Sequence, residues 1–224
     1  MSIIERVISL VAPHNCLVCG DEGSLLCTRC EQRECLPLPS RCYRCHRLAP
    51  DYRTCASCRR SSGLRRVWVC TDYTGAAQQL IYGLKFDRKQ AAASIIGHRM
   101  QRMLPDVGDV AVVPVPTAAR RVRQRGYDQA VLIGRDLGRR LSGASYCPVL
   151  RRRGHARQVG AGRSARLQQL GGALWVARPV AIRGRHVILV DDVVTTGATL
   201  EAAALPLRLA GAASVSAIVF AHKQ

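Results

Sequence analysis

The chain has 224 residues, enough for one domain of ordinary size and a small additional module. Its 34 Lys and Arg residues against 15 Asp and Glu residues give a net charge of +19, which predicts an anionic partner such as nucleic acid or a phosphorylated metabolite. No run of about eighteen apolar residues is present and nothing resembles a secretory signal peptide, so we expect a cytoplasmic protein without a membrane span.

The first predicted element is a short amphipathic helix over Met1–Ala12, and a cysteine-rich segment follows it. Eight of the eleven cysteines form four Cys-x-x-Cys pairs, a spacing that brings both thiolates to one metal ion. The pairs are Cys16/Cys19, Cys27/Cys30, Cys42/Cys45 and Cys55/Cys58. The absence of a secretory signal favours structural Zn²⁺ over disulfides.

Two groupings of these pairs are compatible with the sequence. In the sequential grouping each half of the segment closes its own Cys₄ site, and in a cross-braced grouping the first pair joins the third and the second joins the fourth. We favour the sequential form, as two small ribbons, because each site then closes a short loop. The segment is poor in large apolar residues, so metal binding must supply its folding free energy. Its role is either that of a folded appendage or, given its arginines, that of a module that binds nucleic acid or protein.

From Leu64 onward, strand and helix patterns alternate, which predicts an α/β domain with a mostly parallel sheet. Strands are predicted at Val67–Cys70, Val110–Val113, Pro148–Leu150, Ala173–Val176, Val187–Val190 and Ser214–Phe220. Helices are predicted at Ala76–Phe86, Ala91–Leu104 and Gln129–Leu141, and after the strand that ends at Val190. Pro206 should kink or end that last helix.

The most informative motif follows the apolar strand Val187–Val190. Two adjacent carboxylates, Asp191 and Asp192, precede a turn and the start of a helix, and the turn contains Thr195, Thr196, Gly197, Ala198 and Thr199. Backbone N–H groups and hydroxyls at a helix N-terminus suit a phosphate dianion, and the two carboxylates suit the hydroxyls of a ribose. The alternative is an ordinary βα turn in which Asp and Thr act only as caps.

This segment resembles the phosphoribosyl pyrophosphate (PRPP) loop of type I phosphoribosyltransferases. The resemblance implies their fold and a role for Asp191 and Asp192 as catalytic residues that hold the ribose diol and stabilise positive charge at C1. It also implies PRPP binding, with Mg²⁺, by Val190, Asp191, Asp192, Thr195, Thr196, Gly197, Ala198 and Thr199.

Across nearly its whole length the chain also resembles the ComF (competence protein F) family, in which a zinc ribbon precedes a phosphoribosyltransferase domain. The further landmarks are Leu84–Phe86, Val113–Pro116, Arg125–Gln129 and Gln158. This resemblance implies that Pro116 and Thr117 belong to the pyrophosphate loop and that Arg125 contacts an anion. It also implies that Arg151–Gly171 is the mobile loop that closes over the site. Three positions depart from the family pattern, Asp128, Ala161 and Gln169.

We therefore expect a Cys₄-type double zinc ribbon in residues 1–62 and a phosphoribosyltransferase-like domain in residues 63–224. The family resemblance implies a protein that binds PRPP or a related phosphoribosyl ligand with Mg²⁺, and acts in DNA uptake or in nucleotide-related metabolism. The partners it implies are single-stranded DNA and proteins of the DNA-uptake machinery. The alternative is a non-catalytic protein that binds single-stranded DNA and uses the transferase fold as a scaffold.

Overall fold

A computed structural model describes residues 14–153 and 173–223. The predicted helix Met1–Ala12 lies outside these residues, as does most of the predicted mobile loop, with Gln158, Ala161 and Gln169. In the described residues no helix combines the length and the apolar character that a membrane crossing requires.

A five-stranded sheet with the order β1-β7-β6-β2-β3 forms the centre of the molecule, and each neighbouring pair is parallel. Its strands are β1 (Val67–Asp72), β2 (Val110–Pro114), β3 (Ser145–Tyr146), β6 (His186–Val194) and β7 (Ser214–His222). A separate antiparallel pair consists of β4 (Leu150–Arg152) and β5 (Leu174–Val176). The mostly parallel sheet predicted from the sequence is confirmed.

Helices cover both faces of the sheet, which explains why its inner strands are almost continuously apolar. The helices are α1 (Thr28–Glu34), α2 (Ala56–Arg59), α3 (Gly75–Phe86), α4 (Ala92–Met103), α5 (Ala119–Arg125), α6 (Gln129–Arg140) and α7 (Ala198–Leu209). Ile188 and Val190 of β6 face the core that contains α3, α4 and α6. Val187 and Leu189, on the opposite side of the strand, face the core that contains α7.

The cysteine-rich segment contributes to both cores and is packed against the sheet domain. Leu25 and Cys30 are buried in the core of α3 and α4, and Tyr43 is buried in the core of α7. Thr54 links the segment to the residues that precede β1, because its hydroxyl donates to the Leu64 carbonyl oxygen at 2.7 Å. The two halves of the segment therefore lie against opposite faces of the sheet.

Two details of the predicted elements were wrong. The strand placed at Pro148–Leu150 is replaced by β3 and β4 on either side of Pro148, which has no N–H for a ladder. Helix α5 was missed because its sequence, ARRVRQR, has almost no apolar periodicity. Pro206, which was predicted to kink or end α7, lies inside that helix, which continues to Leu209 and closes with the Ala210 N–H donating to the Pro206 carbonyl oxygen at 3.0 Å.

Candidate functional site

The carboxyl ends of β2 and β6 define the candidate site. The chain leaves β2 toward β3 on one side and leaves β6 toward β7 on the other, so the strand order reverses between them. Ligands of open α/β sheets bind in the crevice at such a reversal. The predicted motif lies at this place, although β6 runs four residues beyond Val190 because its β-branched residues pair with the long strand β7.

The loop between β6 and α7 presents exposed hydroxyl groups at a helix N-terminus. Thr195 and Thr196 are exposed, and the Ala198 N–H donates to the Thr196 hydroxyl at 3.4 Å. Gly197 caps the helix with φ +74, a left-handed conformation that favours glycine. Thr199 lies in the first turn of α7 and is partly exposed. Backbone N–H groups and exposed hydroxyls at a helix N-terminus suit a phosphate group.

The two adjacent acids have different surroundings. Asp192 is buried, and its carboxylate lies 2.8 Å from the Lys85 ammonium group at the C-terminal end of α3. Asp191 is partly exposed, and its carboxylate accepts a hydrogen bond from the Asp192 N–H at 2.8 Å. Burial, and then the neighbouring Asp192 carboxylate, raise the pKa of Asp191 well above its usual range.

Val190 directly precedes the two acids in β6 and has a structural position. Its side chain is fully buried, and its carbonyl oxygen accepts from the Val115 N–H at 2.9 Å. This bond ties the middle of β6 to the start of the loop that follows β2. Val190 can therefore influence a ligand only through the backbone.

The loop after β2 is held by Asp128. The Asp128 carboxylate accepts from the Thr117 N–H at 2.8 Å, from the Thr117 hydroxyl at 3.0 Å and, as the N-cap of α6, from the Ala130 N–H at 3.0 Å. The carbonyl oxygen of Pro116 accepts from Arg152 at 3.4 Å. Pro116 and Thr117 are thus fixed next to the end of β6.

A cationic cavity of about 650 Å³ opens beside this loop. It is lined by Tyr73, Lys85, Phe86, Arg88, Arg121, Gln124 and Arg125. The Arg125 guanidinium donates to the Gln129 side chain at 2.7 Å and lies 5.4 Å from the centre of the Phe86 ring. Four cationic side chains around one cavity suit a ligand with several negative charges.

Three of the cations at this edge were missed as site residues by sequence reasoning: Arg88, Arg121 and Arg152. Burial, and then the charge of Arg121, lower the pKa of Arg152, while the charge of Asp191 opposes that shift. Arg152 therefore lies within electrostatic reach of both residues. The chain has 31 arginines, and Arg152 reaches this edge of the sheet because it lies on β4. With only three residues, β4 has no hydrophobic periodicity from which it could be predicted.

The eight paired cysteines form two clusters in the sequential grouping. Cys16, Cys19, Cys27 and Cys30 lie together, as do Cys42, Cys45, Cys55 and Cys58, with all sulfur atoms of a cluster within 4.8 Å of one another. A tetrahedral Zn²⁺ with Zn–S bonds of about 2.3 Å separates its sulfurs by about 3.8 Å. The Cys19–Cys27 and Cys45–Cys55 separations of 3.7 and 3.5 Å fit that geometry.

The local chemistry of the second cluster also suits a metal. Hydrogen bonds from the Ser57 hydroxyl and the Cys58 backbone lower the pKa of Cys55 to about 6, which favours the thiolate that binds zinc. The other three cysteines lie outside both clusters. Burial raises the pKa of Cys35 to about 11 and that of Cys70 to about 12, and it also raises the pKa of Cys147.

A second cavity, of about 980 Å³, lies between the second cysteine cluster and the loop after β6. Thr195 and Thr196 line it on one side, and His46 and His222 meet in it with ring centres 5.2 Å apart. Burial, and then the neighbouring His46, lower the pKa of His222. The cysteine-rich segment therefore forms one wall of the space in front of the phosphate-type loop.

A parallel sheet covered on both faces, with an acid pair and a helix N-terminus at its carboxyl edge, defines a protein of the phosphoribosyltransferase fold. A family model described as the phosphoribosyl transferase domain matches residues 149–224. The chain is 33% identical over 167 residues to the DNA utilization protein YhgH of Escherichia coli (strain K12), covering 67% of this chain and 69% of that protein.

The chain belongs to the ComF family. It is 37% identical over 103 residues to the competence protein F of Haemophilus influenzae, covering 45% of each protein. It is 36% identical over 106 residues to the competence protein ComFC of Bacillus subtilis, covering 47% of this chain and 41% of that protein. An allosteric regulatory enzyme of purine biosynthesis is a more distant structural neighbour, with a TM-score of 0.41 and 21% identity over 58% of this chain and 25% of that one.

Proposed function

We propose that the carboxyl edge of the sheet binds PRPP, or a related phosphoribosyl ligand, together with Mg²⁺. The observation that carries this proposal is the grouping of three complementary features at one edge. These are the hydroxyl-rich helix N-terminus, the partly exposed Asp191 and the cationic cavity lined by Lys85, Arg121 and Arg125. PRPP has a matching set of groups, a 5-phosphate, a ribose diol and a diphosphate.

Each part of the ligand has a proposed partner in the chain. The residues from Thr195 to Thr199 bind the 5-phosphate through backbone N–H groups and hydroxyls. Asp191 accepts hydrogen bonds from the ribose hydroxyls, because its carboxylate is the more exposed of the two acids. Asp192 acts indirectly, since its charge is already paired with Lys85. The diphosphate lies toward Thr117 and the cationic side chains Arg121 and Arg125.

Mg²⁺ fits the same edge. This ion is usually held by one or two carboxylates together with phosphate oxygens and waters, and Asp191 is an acid that can serve. When bound, it neutralises the charge of the diphosphate leaving group. If the protein turns over, the reaction is a pentosyl transfer, in which Asp191 stabilises the positive charge that develops at C1.

The two Cys₄ clusters are proposed to bind structural Zn²⁺, with residues 1–62 forming a double zinc ribbon and residues 63–224 the transferase-like domain. The donor set and the sulfur separations support this assignment. Zinc would hold a segment that places Cys16 and Cys30 in one core of the sheet domain and Tyr43 in the other.

DNA handling is the second part of the proposal. The curated relatives are named for DNA utilization and competence, and the net charge of +19 favours a polyanion. We propose that the protein acts in DNA uptake, in contact with single-stranded DNA and with proteins of the uptake machinery, while it keeps the PRPP site. The alternative is a non-catalytic protein that uses the transferase fold as a scaffold. Such a protein would bind single-stranded DNA but would not bind PRPP.

Calorimetry with PRPP tests the first part. We expect saturable heat in the presence of Mg²⁺ and its loss when Mg²⁺ is left out of the buffer. The variant Asp191→Asn, which leaves the Lys85–Asp192 ion pair in place, should strongly weaken the signal while remaining folded by circular dichroism. Wild-type protein that gives no heat at millimolar PRPP would contradict the proposal.

A salt titration tests the second part. Binding of a single-stranded oligonucleotide should weaken by about 0.7 log units per log unit of salt for each phosphate contact. Binding that is absent, or independent of salt, would contradict the proposed contact with single-stranded DNA. It would leave the proposal of a PRPP site unaffected.

A further inference from the structure

Tyr43, which lies between two cysteines of the second cluster, packs against the loop that follows β6. Its side chain is 6% exposed although it belongs to a turn of the cysteine-rich segment. The backbone of that turn is fixed by the Cys42 N–H donating to the Arg47 carbonyl oxygen at 2.9 Å and by the His46 N–H donating to the Cys42 carbonyl oxygen at 2.8 Å. The position of the Tyr43 ring is therefore set by the same turn that presents Cys42 and Cys45.

The ring of Tyr43 lies directly over Gly197. A Cβ atom at position 197 would be 2.6 Å from Cε2 and 2.8 Å from Cδ2 of that ring, closer than real side chains approach. Gly197 also has φ +74 and is the residue from which α7 begins. The phosphate-type loop is therefore in close contact, at Gly197, with an aromatic ring from the cysteine-rich segment.

The hydroxyl group of Tyr43 fixes the first turn of α7 as well. It hydrogen-bonds the Glu201 carboxylate and lies 2.8 Å from the Ser62 hydroxyl. The other oxygen of Glu201 accepts from the Gly63 N–H at 2.8 Å, and the Glu201 N–H donates to the Gly197 carbonyl oxygen at 3.0 Å. Glu201 consequently links the cysteine-rich segment to the turn that begins at Gly197.

The first cluster makes the equivalent contact with a different helix. Glu34, at the end of α1, accepts from the Ala76 N–H at 3.0 Å and so caps α3. Arg99 of α4 pairs with Glu31 at 3.1 Å. The segment around the first cluster therefore contacts α3 and α4, whereas the segment around the second contacts α7 and the loop after β6.

We propose that Tyr43 is a positioning residue for the phosphate-binding loop and that metal in the second cluster controls the geometry of that loop. The proposal deepens the function given above, on which its ligand-binding readout rests. The ring closes the space behind Gly197, and the hydroxyl holds Glu201, so the N–H groups of residues 195–199 keep one orientation before a phosphate arrives. Loss of the second metal would release this contact without changing any residue that touches the ligand.

Amide hydrogen exchange of the full-length, metal-loaded protein tests the proposal without any ligand. In Tyr43→Ala we expect exchange in residues 195–201 to accelerate by on the order of tenfold, while exchange in α3 stays as in the wild type. Tyr43→Phe, which keeps the ring and loses the hydroxyl, should fall between the two. Tyr52→Phe is the matched control, because it removes a tyrosine hydroxyl that donates to the Leu38 carbonyl oxygen at 2.8 Å in the same segment. It should leave the loop unchanged.

The two exposed cysteines Cys19 and Cys45 provide a second matched pair. Each serine variant should lose one of two metal ions, measured by a colorimetric zinc assay. Cys45→Ser should then accelerate exchange in residues 195–201, and Cys19→Ser should accelerate it in α3 instead. PRPP affinity, measured with Mg²⁺, should fall about tenfold in Tyr43→Ala and Cys45→Ser, and much less in Cys19→Ser.

The outcomes separate the two claims. Unchanged exchange in residues 195–201 in both Tyr43→Ala and Cys45→Ser would overturn the positioning role. Accelerated exchange together with an absence of PRPP binding in the wild type would overturn the proposed ligand and leave the positioning role standing.

Discussion

The ammonium group of Lys85 lies 2.8 Å from the carboxylate of Asp192, so that one acid of the adjacent pair is neutralised by a side chain from another element. Asp191, one residue earlier, is partly exposed, and it lies within electrostatic reach of both Lys85 and Arg152. Adjacent residues of a strand point to opposite faces, and this alternation separates the two carboxylates. The acid pair therefore combines a buried, ion-paired carboxylate at Asp192 with a partly exposed carboxyl group at Asp191.

The Lys85–Asp192 pair should be essential for stability. Lys85→Met leaves a buried carboxylate without its partner and should lower the free energy of unfolding by about 3 kcal/mol, as found when one partner of a buried pair is removed. Urea denaturation measures the change. Lys85→Met/Asp192→Asn should recover most of the loss. Lys89→Met is the control, since Lys89 has no salt-bridge partner in the described part of the chain, and a loss as large as that of Lys85→Met would contradict the assignment.

Replacing Asp191 should improve stability and impair binding. Burial and the Asp192 charge disfavour the ionised form of Asp191, as its raised pKa shows. Asp191→Asn removes that unfavourable charge and should raise the free energy of unfolding at neutral pH. PRPP binding should weaken at the same time, because the ribose loses a charged acceptor.

The pH dependence of the Asp191 effect follows from the direction of the pKa shift. A carboxyl group with a raised pKa in the folded state favours folding at low pH, and this contribution is lost as the pH rises through the folded pKa. The stability advantage of Asp191→Asn should therefore be present at neutral pH and disappear below about pH 4, where the wild-type group is protonated in both states. Urea denaturation at both pH values measures it, and a constant advantage would rule out this origin.

Asp128 should stabilise the loop after β2 more than asparagine would at the same position. Both of its oxygens accept hydrogen bonds, from the backbone and hydroxyl of Thr117 and from the Ala130 N–H. Asp128→Asn turns one acceptor into a donor and should cost about 1 kcal/mol in thermal unfolding measurements. Thr117→Val removes the hydroxyl bond alone and should cost less. Equal or higher stability of Asp128→Asn would show that the carboxylate is not needed to hold the loop.

Gly197 should be sensitive for two separable reasons. Alanine at φ +74 is strained, and its Cβ would collide with the Tyr43 ring. Gly184 has φ +71 and open space around the corresponding position, so Gly184→Ala measures the strain alone, about 1 kcal/mol. Gly197→Ala should lose clearly more stability in the same denaturation experiment, and Tyr43→Ala should relieve part of the excess. Equal losses of stability for Gly197→Ala and Gly184→Ala would mean that the Tyr43 ring moves aside without a measurable cost.

The sequence predicted the sheet and the phosphate-type loop because their signals are local. Val187–Val190 is a continuous apolar run, and the acids, threonines and glycine follow it in an order that matches a known motif. The cysteine clusters were predictable for the same reason, since two residues between thiols fix the geometry of a metal-binding turn.

The missed features depend on contacts between distant parts of the chain. The partnership of Lys85 with Asp192 arises only when α3 packs beside β6, and a single lysine carries no sign of it. Arg121 lies on a helix with one apolar residue, and Arg152 on a strand of three residues, so neither has a periodicity to read. Tyr43 was invisible as a loop contact because 154 residues separate it from Gly197.

A competition titration tests the central claim most directly. PRPP, ribose 5-phosphate and inorganic diphosphate are each titrated into the wild type and into Asp191→Asn, with Mg²⁺ present. We predict that PRPP binds most tightly, that each fragment competes with it, and that Asp191→Asn weakens PRPP and ribose 5-phosphate while leaving diphosphate almost unaffected. Fragments that bind without competing, or a ribose 5-phosphate affinity that is unchanged in Asp191→Asn, would contradict a single phosphoribosyl site at this edge of the sheet.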